Sequence, residues 1–428
     1  MNRIVLTGTG MALGFAGGLM ALAATAPDTG ATFSALDRFG RAFAAVREHY
    51  VDETDDRLLI ESALSGMIGN LDPHSSYFDP KTYAEMQVKT EGQYGGVGLV
   101  IAADTGGGVK VVSPIDDTPA ARAGIKSGDI ILAIDGKGLQ GSSLDQVQLL
   151  LRGKPGTKLT LTLMRSGGDK SFEVHLERAA IEVEAVKFHR EGDIGYIRIP
   201  AFNEHTDSGL ETAVKALKKQ IGPHLRGYIV DLRDDGGGLL DQAIAVSDDF
   251  LEGGEIVSTR GRDPADTQRF DARPGDIATG KPIIVLINRG TASASEIVAG
   301  ALQDHHRAKI IGMTSFGKGS VQTIIPLNGG DDGALHLTTA RYYTPSGRSI
   351  QATGIVPDIA VAAGDESEPA PAIETYTEAN LPNHLVDENA GQAKPAAPPI
   401  RPPAGKTIAD FQLSYAVDLL DGKVVAAK

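Results

Sequence analysis

Ile283-Ile284-Val285-Leu286-Ile287 is a run of β-prone apolar residues with no polar residue between them. A strand on a half-exposed sheet alternates apolar with polar, so a continuous run must be covered on both faces, as in parallel sheets flanked by helices. Further strands are expected at 194–199, 228–232, 255–259, 309–311, 321–325 and 335–342, with helices at 208–221, 239–251 and 293–305. This alternation predicts a mixed α/β core domain over 181–361 with a partly parallel sheet. Chemistry in such a core sits at the carboxyl ends of the strands.

Upstream the texture changes. Short strands at 97–101, 109–112, 130–134, 158–164 and 171–176 are separated by a brief helix from 119, a turn at 136–138 and a helix at 144–151 capped by Ser143. A unit of about 90 residues with five or six strands is a small β-sandwich or partial barrel, placed at 91–180. Before it, Phe39, Phe43, Val46 and Tyr50, then Leu59, Ile60, Ala63, Leu64 and Met67, recur at helical spacing, so 33–90 is expected to be helical. Asn70-Leu71-Asp72-Pro73-His74-Ser75 stops the second helix and makes His74 a turn hydrogen-bonder.

The ends carry other signals. Residues 1–26 open with Arg3, run through an apolar 4–24 stretch and reach Ala24-Thr25-Ala26. That pattern is an export signal with a small-residue cleavage site, or else an uncleaved anchor, and it predicts an exported, periplasmic or extracytoplasmic protein. Residues 362–406 are rich in Pro, Ala and Glu and read as a disordered linker. In 407–428, Phe411, Leu413, Ala416, Leu419 and Leu420 mark a short amphipathic helix that must dock on its own body or on a second copy.

Composition excludes several chemistries. With 41 basic against 55 acidic residues and a net charge of −14, nothing draws the chain to nucleic acid. The absence of cysteine removes disulfides, thiolate metal sites and thiol nucleophiles, leaving oxygen and nitrogen groups to act. No His-Glu-x-x-His spacing points to a metal.

Two segments carry candidate chemistry. After strand 283–287, Asn288-Arg289-Gly290-Thr291-Ala292 leads into Ser293-Ala294-Ser295-Glu296, a strand–turn–helix sequence that sets the Ser293 hydroxyl at a helix N-terminus beside free N–H groups. Ser293 with Glu296 also forms a capping box that requires no chemistry. In Phe316-Gly317-Lys318-Gly319-Ser320-Val321-Gln322, a lysine between glycines becomes a neutral base if buried, or is an ordinary loop lysine if not. Gln322, at even spacing, would share a strand face with Lys318 and orient its amine.

Rival readings of these segments are weaker. The stretch 312–318 imitates a phosphate loop but has Gly319 where a hydroxyl is needed and is followed by a strand instead of a helix. His305 and His306 sit about 18 Å along the helix from Ser293, while His189, His205, His224 and His336 stay open as partners.

Thr118-Pro119-Ala120-Ala121-Arg122-Ala123-Gly124-Ile125-Lys126-Ser127-Gly128-Asp129-Ile130-Ile131 resembles the signature of a PDZ domain. Such domains capture C-terminal peptides by strand addition. The resemblance implies that Gly96, Val97, Gly98 and Leu99 form the loop that holds the terminal carboxylate. Together with Asp231-Leu232-Arg233-Asp234-Asp235-Gly236-Gly237-Gly238, the Ser293–Glu296 segment and the Lys318 segment, the chain resembles the carboxyl-terminal processing proteases. That resemblance implies Ser293 as nucleophile, Lys318 as general base, Gln322 as its support, and an oxyanion hole from the N–H groups of Gly237 and Ala294.

It further implies no cofactor, protein or peptide substrates with free C-termini, a homodimer built through the end helices, and room for a regulatory partner. The chain departs from the family run at Asp235, which stands where Asn is usual, and at Gly236, which stands where Pro is usual. Those changes leave a catalytically impaired PDZ scaffold or chaperone as the alternative, and an esterase on the same fold as a third reading.

Overall fold

The computed structural model describes residues 29–103, 109–115, 117–126, 128–140, 144–165, 170–182, 184–364, 377–388, 397–403 and 408–424. The export segment 1–26, the Ser143 cap and parts of 362–406 lie outside them. The chain divides into Met1–Leu64 and Ser65–Lys428. The first unit holds α1 (Thr29–His49) and the start of α2 (Asp56–Gly69), with Arg47 Nε 2.9 Å from Asp56 Oδ1. Phe33, Leu36, Phe39 and Val46 of α1 are exposed. Among the described residues no helix is long and apolar enough to cross a membrane.

In the second unit, β1 (Ser76–Phe78) precedes α3 (Pro80–Glu91). Asp79 caps α3 by accepting from Thr82 N, Pro80 opens it, and Gly92 at φ 65° ends it.

The expected β-unit follows. It comprises β2 (Gln93–Gly96), β3 (Leu99–Ala103), β4 (Val109–Pro114), α4 (Pro119–Arg122), β5 (Ile130–Ile134), β6 (Lys137–Gly138), α5 (Leu144–Leu151), β7 (Lys158–Met164), β8 (Ser171–Glu177) and β9 (Ala179–Glu182). The antiparallel sheet runs β3-β4-β5-β7-β8, and β2 pairs with β9. Leu159, Leu161 and Leu163 alternate inward from β7 against Val111, Ile131 and Val147. Among the described residues β3 is an edge strand, bonded on one side only to β4.

The core domain contains two sheets. Its elements are β10 (Lys187–Glu191), β11 (Ile194–Arg198), α6 (Thr206–Ile221), β12 (Gly227–Asp231), α7 (Leu240–Asp248), β13 (Gly254–Gly261), β14 (Gln268–Ala272), β15 (Ile283–Ile287), α8 (Ala294–Asp304), β16 (Ala308–Gly312), β17 (Ser320–Pro326), β18 (Ala334–Tyr343) and β19 (Ile359–Ala360). The main sheet runs β10-β11-β12-β15-β16-β19 and is parallel except for β10. The strands expected at 255–259, 321–325 and 335–342 form a separate antiparallel sheet with β1 and β14, because hairpin-linked strands such as β17 and β18 pair with each other.

Both faces of β15 are covered. Val285 and Ile287 pack under α6, α7 and α8, while Ile284 and Leu286 face Phe411, Tyr415 and Ala416 of α9 (Phe411–Leu420). The C-terminal helix therefore docks on its own body, where each buried large aliphatic contact is worth about 1.5–3 kcal/mol. Arg233 pins its start, with Nη2 2.6 Å from Asp231 Oδ2 and 2.7 Å from Asp410 Oδ2, and Nη1 3.1 Å from Gln412 Oε1.

Pieces of the Pro-rich 362–406 stretch are also held. Ala362 N donates to Ile400 O, and Glu378 is fully buried. Composition hides this packing because the contacts are polar.

Arg233→Met removes one of two guanidinium partners from buried Asp231, which keeps Arg198 and the Tyr196 hydroxyl, and frees Asp410. We expect it to cost about 1.5–3 kcal/mol in urea unfolding, whereas Lys423→Met, at an exposed pair, should leave the unfolding midpoint unchanged.

Candidate active site

The parallel strands β12 and β15 end side by side, and the loops that leave them are knitted together. Asn288 Nδ2 donates to Asp234 Oδ1 at 2.8 Å, and Asn288 Oδ1 accepts from Asp234 N and Gly290 N, each at 2.9 Å. Thr291 Oγ1 donates to Leu232 O at 2.8 Å. The turn this forms delivers Ser293 at φ 58° and ψ −117°, immediately before α8. A non-glycine residue there costs about 1–3 kcal/mol and persists only where its surroundings dictate it.

Glu296 dictates it. Its buried carboxylate accepts from Ser293 N at 2.8 Å, Lys318 N at 3.0 Å, Gly317 N at 2.8 Å and Ser315 Oγ at 2.5 Å. The capping reading of Ser293 and Glu296 is half the story: the glutamate caps the serine's amide and also carries the lysine loop. Burial pushes the Glu296 carboxyl up to about 7, against the four donors, which favour its charged form. Tyr342 adds a second clasp, its hydroxyl reaching Ser293 O at 3.2 Å and also Lys318 O.

Ser293, Ala294, Gly237, Lys318, Gln322 and His336 line one cavity of about 800 Å³. Burial pushes the Lys318 amine below the ordinary lysine value, partly opposed by the charges of Glu378, Glu296 and Asp72. Burial also lowers His336, with the positive charge of Lys318 acting in the same direction. Gln322 Nε2 donates to Ser320 Oγ at 2.9 Å and Thr338 Oγ1 at 3.2 Å. A bulge between Val321 and Gln322 breaks the simple alternation assumed from spacing. His305 turns elsewhere, its Nε2 2.7 Å from Glu255 O.

The glycine loop fits closely against the serine. A Cβ on Gly237, at φ 91°, would stand 2.8 Å from Ser293 Cβ and from Ala294 N, so only glycine allows this approach. As the first residue of α8, Ala294 has an N–H without a partner inside the helix. The Gly237 N–H donates to Asp235 Oδ1 at 2.8 Å. Asp235 is fully buried, its Oδ2 has no partner, and burial pushes its carboxyl up to about 7. A Cβ added at Gly236 would meet nothing within 4 Å, so space is open for a side chain there.

In the β-unit, Gly98 sits at φ 78°, and a Cβ there would collide with Thr118 at 2.3 Å. Val97 O accepts from Ala120 N and Gly98 O from Ile115 N, each at 2.9 Å, so Val97 and Gly98 form a fixed connection between Gly96 at the end of β2 and Leu99 at the start of β3.

Sequence reasoning treated Glu296 only as a cap and found His74 only as a turn residue. His74 N accepts that role by donating to Asp72 Oδ1 at 2.9 Å, but its Nε2 also pairs with Glu378 Oε2 at 2.6 Å. Nothing in local composition signals that contact across the chain. No cluster of three or more His, Asp or Glu side chains suited to a metal is present among the described residues.

Comparison with known proteins gives a consistent assignment. Residues 193–361 match peptidase family S41, residues 86–176 a PDZ domain, and residues 20–82 the N-terminal domain of the activating protease CtpB. The chain is 49% identical over 410 residues to the carboxy-terminal-processing protease of Bartonella bacilliformis, covering 96% of this chain and 93% of that one. It is 36% identical to the carboxy-terminal processing protease CtpA of Bacillus subtilis, covering 76% and 69% respectively. Among solved structures, the photosystem II D1 C-terminal processing protease is 31% identical and covers 76% of this chain and 92% of its own, with a TM-score of 0.43.

Both buried carboxyls bind a proton more tightly folded than unfolded. Their contribution to stability is therefore full below the unfolded values of 4.5 and 3.8 and is lost as pH rises toward about 7. Unfolding midpoints should fall over that window, and Asp235→Asn should flatten the decline. A parallel decline in that variant would show that Asp235 does not contribute.

Proposed function

Since the chain belongs to the carboxy-terminal processing proteases, with a family S41 core and a PDZ domain, we propose that this serine-type peptidase cuts by a Ser293–Lys318 dyad. Ser293 Oγ attacks the scissile carbonyl carbon as neutral Lys318 Nζ takes its proton. The carbonyl oxygen becomes an oxyanion, the C–N bond then breaks, and the lysine's proton goes to the departing amine. Water repeats the sequence on the acyl-serine and returns the free enzyme. The observation that carries this reading is that one carboxylate, Glu296, holds the amides of both Ser293 and Lys318 at the wall of a single cavity. Burial supplies the other requirement, an amine that loses its proton more readily than a surface lysine.

Substrates are chosen, on this reading, by their C-terminal tails. A tail would add as a strand to the free edge of β3, its carboxylate against the loop of Gly96, Val97, Gly98 and Leu99. We place the protein outside the cytoplasm on the strength of residues 1–26. We assign it a dimer through the exposed apolar residues of α1, with Gln322 supporting Lys318 through the cavity wall.

Asp235 favours the second reading, a PDZ protein that binds tails and does not cut. Its carboxylate engages the Gly237 N–H that an oxyanion hole needs, and a charge-assisted bond is about twice as strong as a neutral one. For the protease reading, that N–H must turn out toward the substrate.

The test is cleavage of an unfolded protein, with free or amidated C-terminus, in EDTA. Ser293→Ala and Lys318→Ala should each lower kcat by about 10³ or more, and His336→Gln should not. The rate of the parent should rise with pH as Lys318 loses its proton. Tail binding without cleavage by the parent supports the scaffold, and a dead His336→Gln beside an active Lys318→Ala moves the base to the histidine. Asp235→Asn should raise kcat above pH 7 by roughly two- to tenfold, because a neutral side chain releases Gly237 N–H more readily; a fall there would mean that the charge is needed.

A further inference from the structure

Behind the lysine loop lies a carboxylate that the dyad mechanism does not use. Glu378 comes from residues 377–388, a segment inside the Pro-rich stretch whose composition predicts no packing, yet its side chain is fully buried. Its backbone N donates to Phe316 O at 3.2 Å, two residues before Lys318. Its Oε1 accepts from Gln351 Nε2 at 2.7 Å, and Gln351 Oε1 accepts from Gly319 N at 2.9 Å, one residue after Lys318. Its Oε2 pairs with His74 Nε2 at 2.6 Å. The segment is fastened further along by Gln351 Nε2 to Leu385 O at 3.1 Å, Arg341 Nη1 to Val386 O at 2.7 Å and Tyr343 OH to Glu388 Oε2 at 2.6 Å.

We propose that Glu378 is a positioning residue of the active site: bound to His74 and Gln351, it fixes both flanks of Lys318, making the 377–388 strap part of the catalytic unit. The inference rests on Lys318 being the general base.

The geometry supports this at three points. Glu296 holds the loop from the α8 side through Gly317 N and Lys318 N, and leaves Phe316 O and Gly319 N to other partners. The Glu378 backbone N–H and the Gln351 side chain supply those partners from the opposite side, and the Glu378 carboxylate fixes Gln351 in place, so the loop is clamped from both sides. His74 joins the clamp to the turn before β1, where Asp72 Oδ1 accepts from His74 N, from Ser75 N and from Thr338 Oγ1. The charged and titratable groups acting on Lys318 are then Glu296 from α8, Asp72 from that turn, Glu378 from the strap and His336 from β18, with His74 adjoining Glu378 and His336. Glu378 acts on Lys318 through charge as well as placement, since its negative charge favours the ammonium.

The experiment uses the full chain with Glu378→Gln, Glu378→Ala, Lys423→Gln, Lys318→Ala and the parent. Melting midpoints, kcat and KM are measured from pH 5.5 to 9. Glu378→Gln keeps the shape and loses the charge, so its acid limb in kcat should move down by roughly one unit with KM within about twofold. Glu378→Ala should lose about ten- to a hundredfold in kcat, again with little change in KM. Lys423→Gln, at an exposed pair on the C-terminal helix, should match the parent.

A folded Glu378→Gln with the parent's pH profile overturns the proposal, even if Glu378→Ala fails to fold, because the role would then be structural alone. An active Lys318→Ala removes the general base and the proposal with it. A dead Lys318→Ala beside unchanged Glu378 variants defeats the proposal while leaving the dyad intact.

Discussion

The buried carboxylate of Glu296 is the interaction on which the cleft depends. Taking a carboxylate out of water costs several kcal/mol, and here the offset comes from four donors and the positive end of α8. Because those donors belong to the serine turn on one side and the lysine loop on the other, desolvation and positioning are the same event. The left-handed φ of Ser293 follows from it, since an amide held by a buried charge cannot relax toward an ordinary helix cap. The strain at Ser293 and the placement of Lys318 have one cause.

The strand ends show how differently a fold can treat neighbouring carboxylates. Asp231, at the end of β12, is buried but surrounded by Arg198, Arg233 and the Tyr196 hydroxyl. Asp235, four residues later, has the Gly237 N–H and the Ser295 side chain nearby but leaves Oδ2 without a partner. The first carboxylate anchors α9 through Arg233, and the second ionises with difficulty at neutral pH. The glycine loop next to Ser293 therefore changes charge near neutral pH.

Much of this was legible in the sequence where local pattern and tertiary role coincide. The uninterrupted 283–287 strand announced a sheet covered on both faces, and α9 turned out to be the cover on one of them. The strand–turn–helix at Ser293 and the glycine-flanked Lys318 predicted segments that the fold brings to one cavity. Less was legible where geometry overrides period: the bulge between Val321 and Gln322 interrupts the alternation from which a strand face shared with Lys318 was read. Pairings between remote segments left no trace, as with His74 and Glu378, since neither residue's neighbours carry a pattern that names the partner. The Pro-rich stretch misled because composition weighs apolar burial, whereas residues 377–388 are held by polar contacts to buried groups.

The cleft also answers a conflict inherent in the lysine base proposed above. A neutral amine needs a dry site, yet carboxylates used to build such a site pull the amine back toward its charged form. This fold eases the conflict by occupying the carboxylate oxygens with other donors. Glu296 accepts from amides and a hydroxyl, Glu378 from Gln351 and His74, and Asp72 from Ser75, His74 and Thr338. Each acidic group fixes the frame through hydrogen bonds to something other than the ammonium, so its charge reaches Lys318 at one remove. Burial remains the largest influence on the amine. The design depends on segments far apart in sequence, because no single element could supply enough donors to satisfy three carboxylates around one lysine.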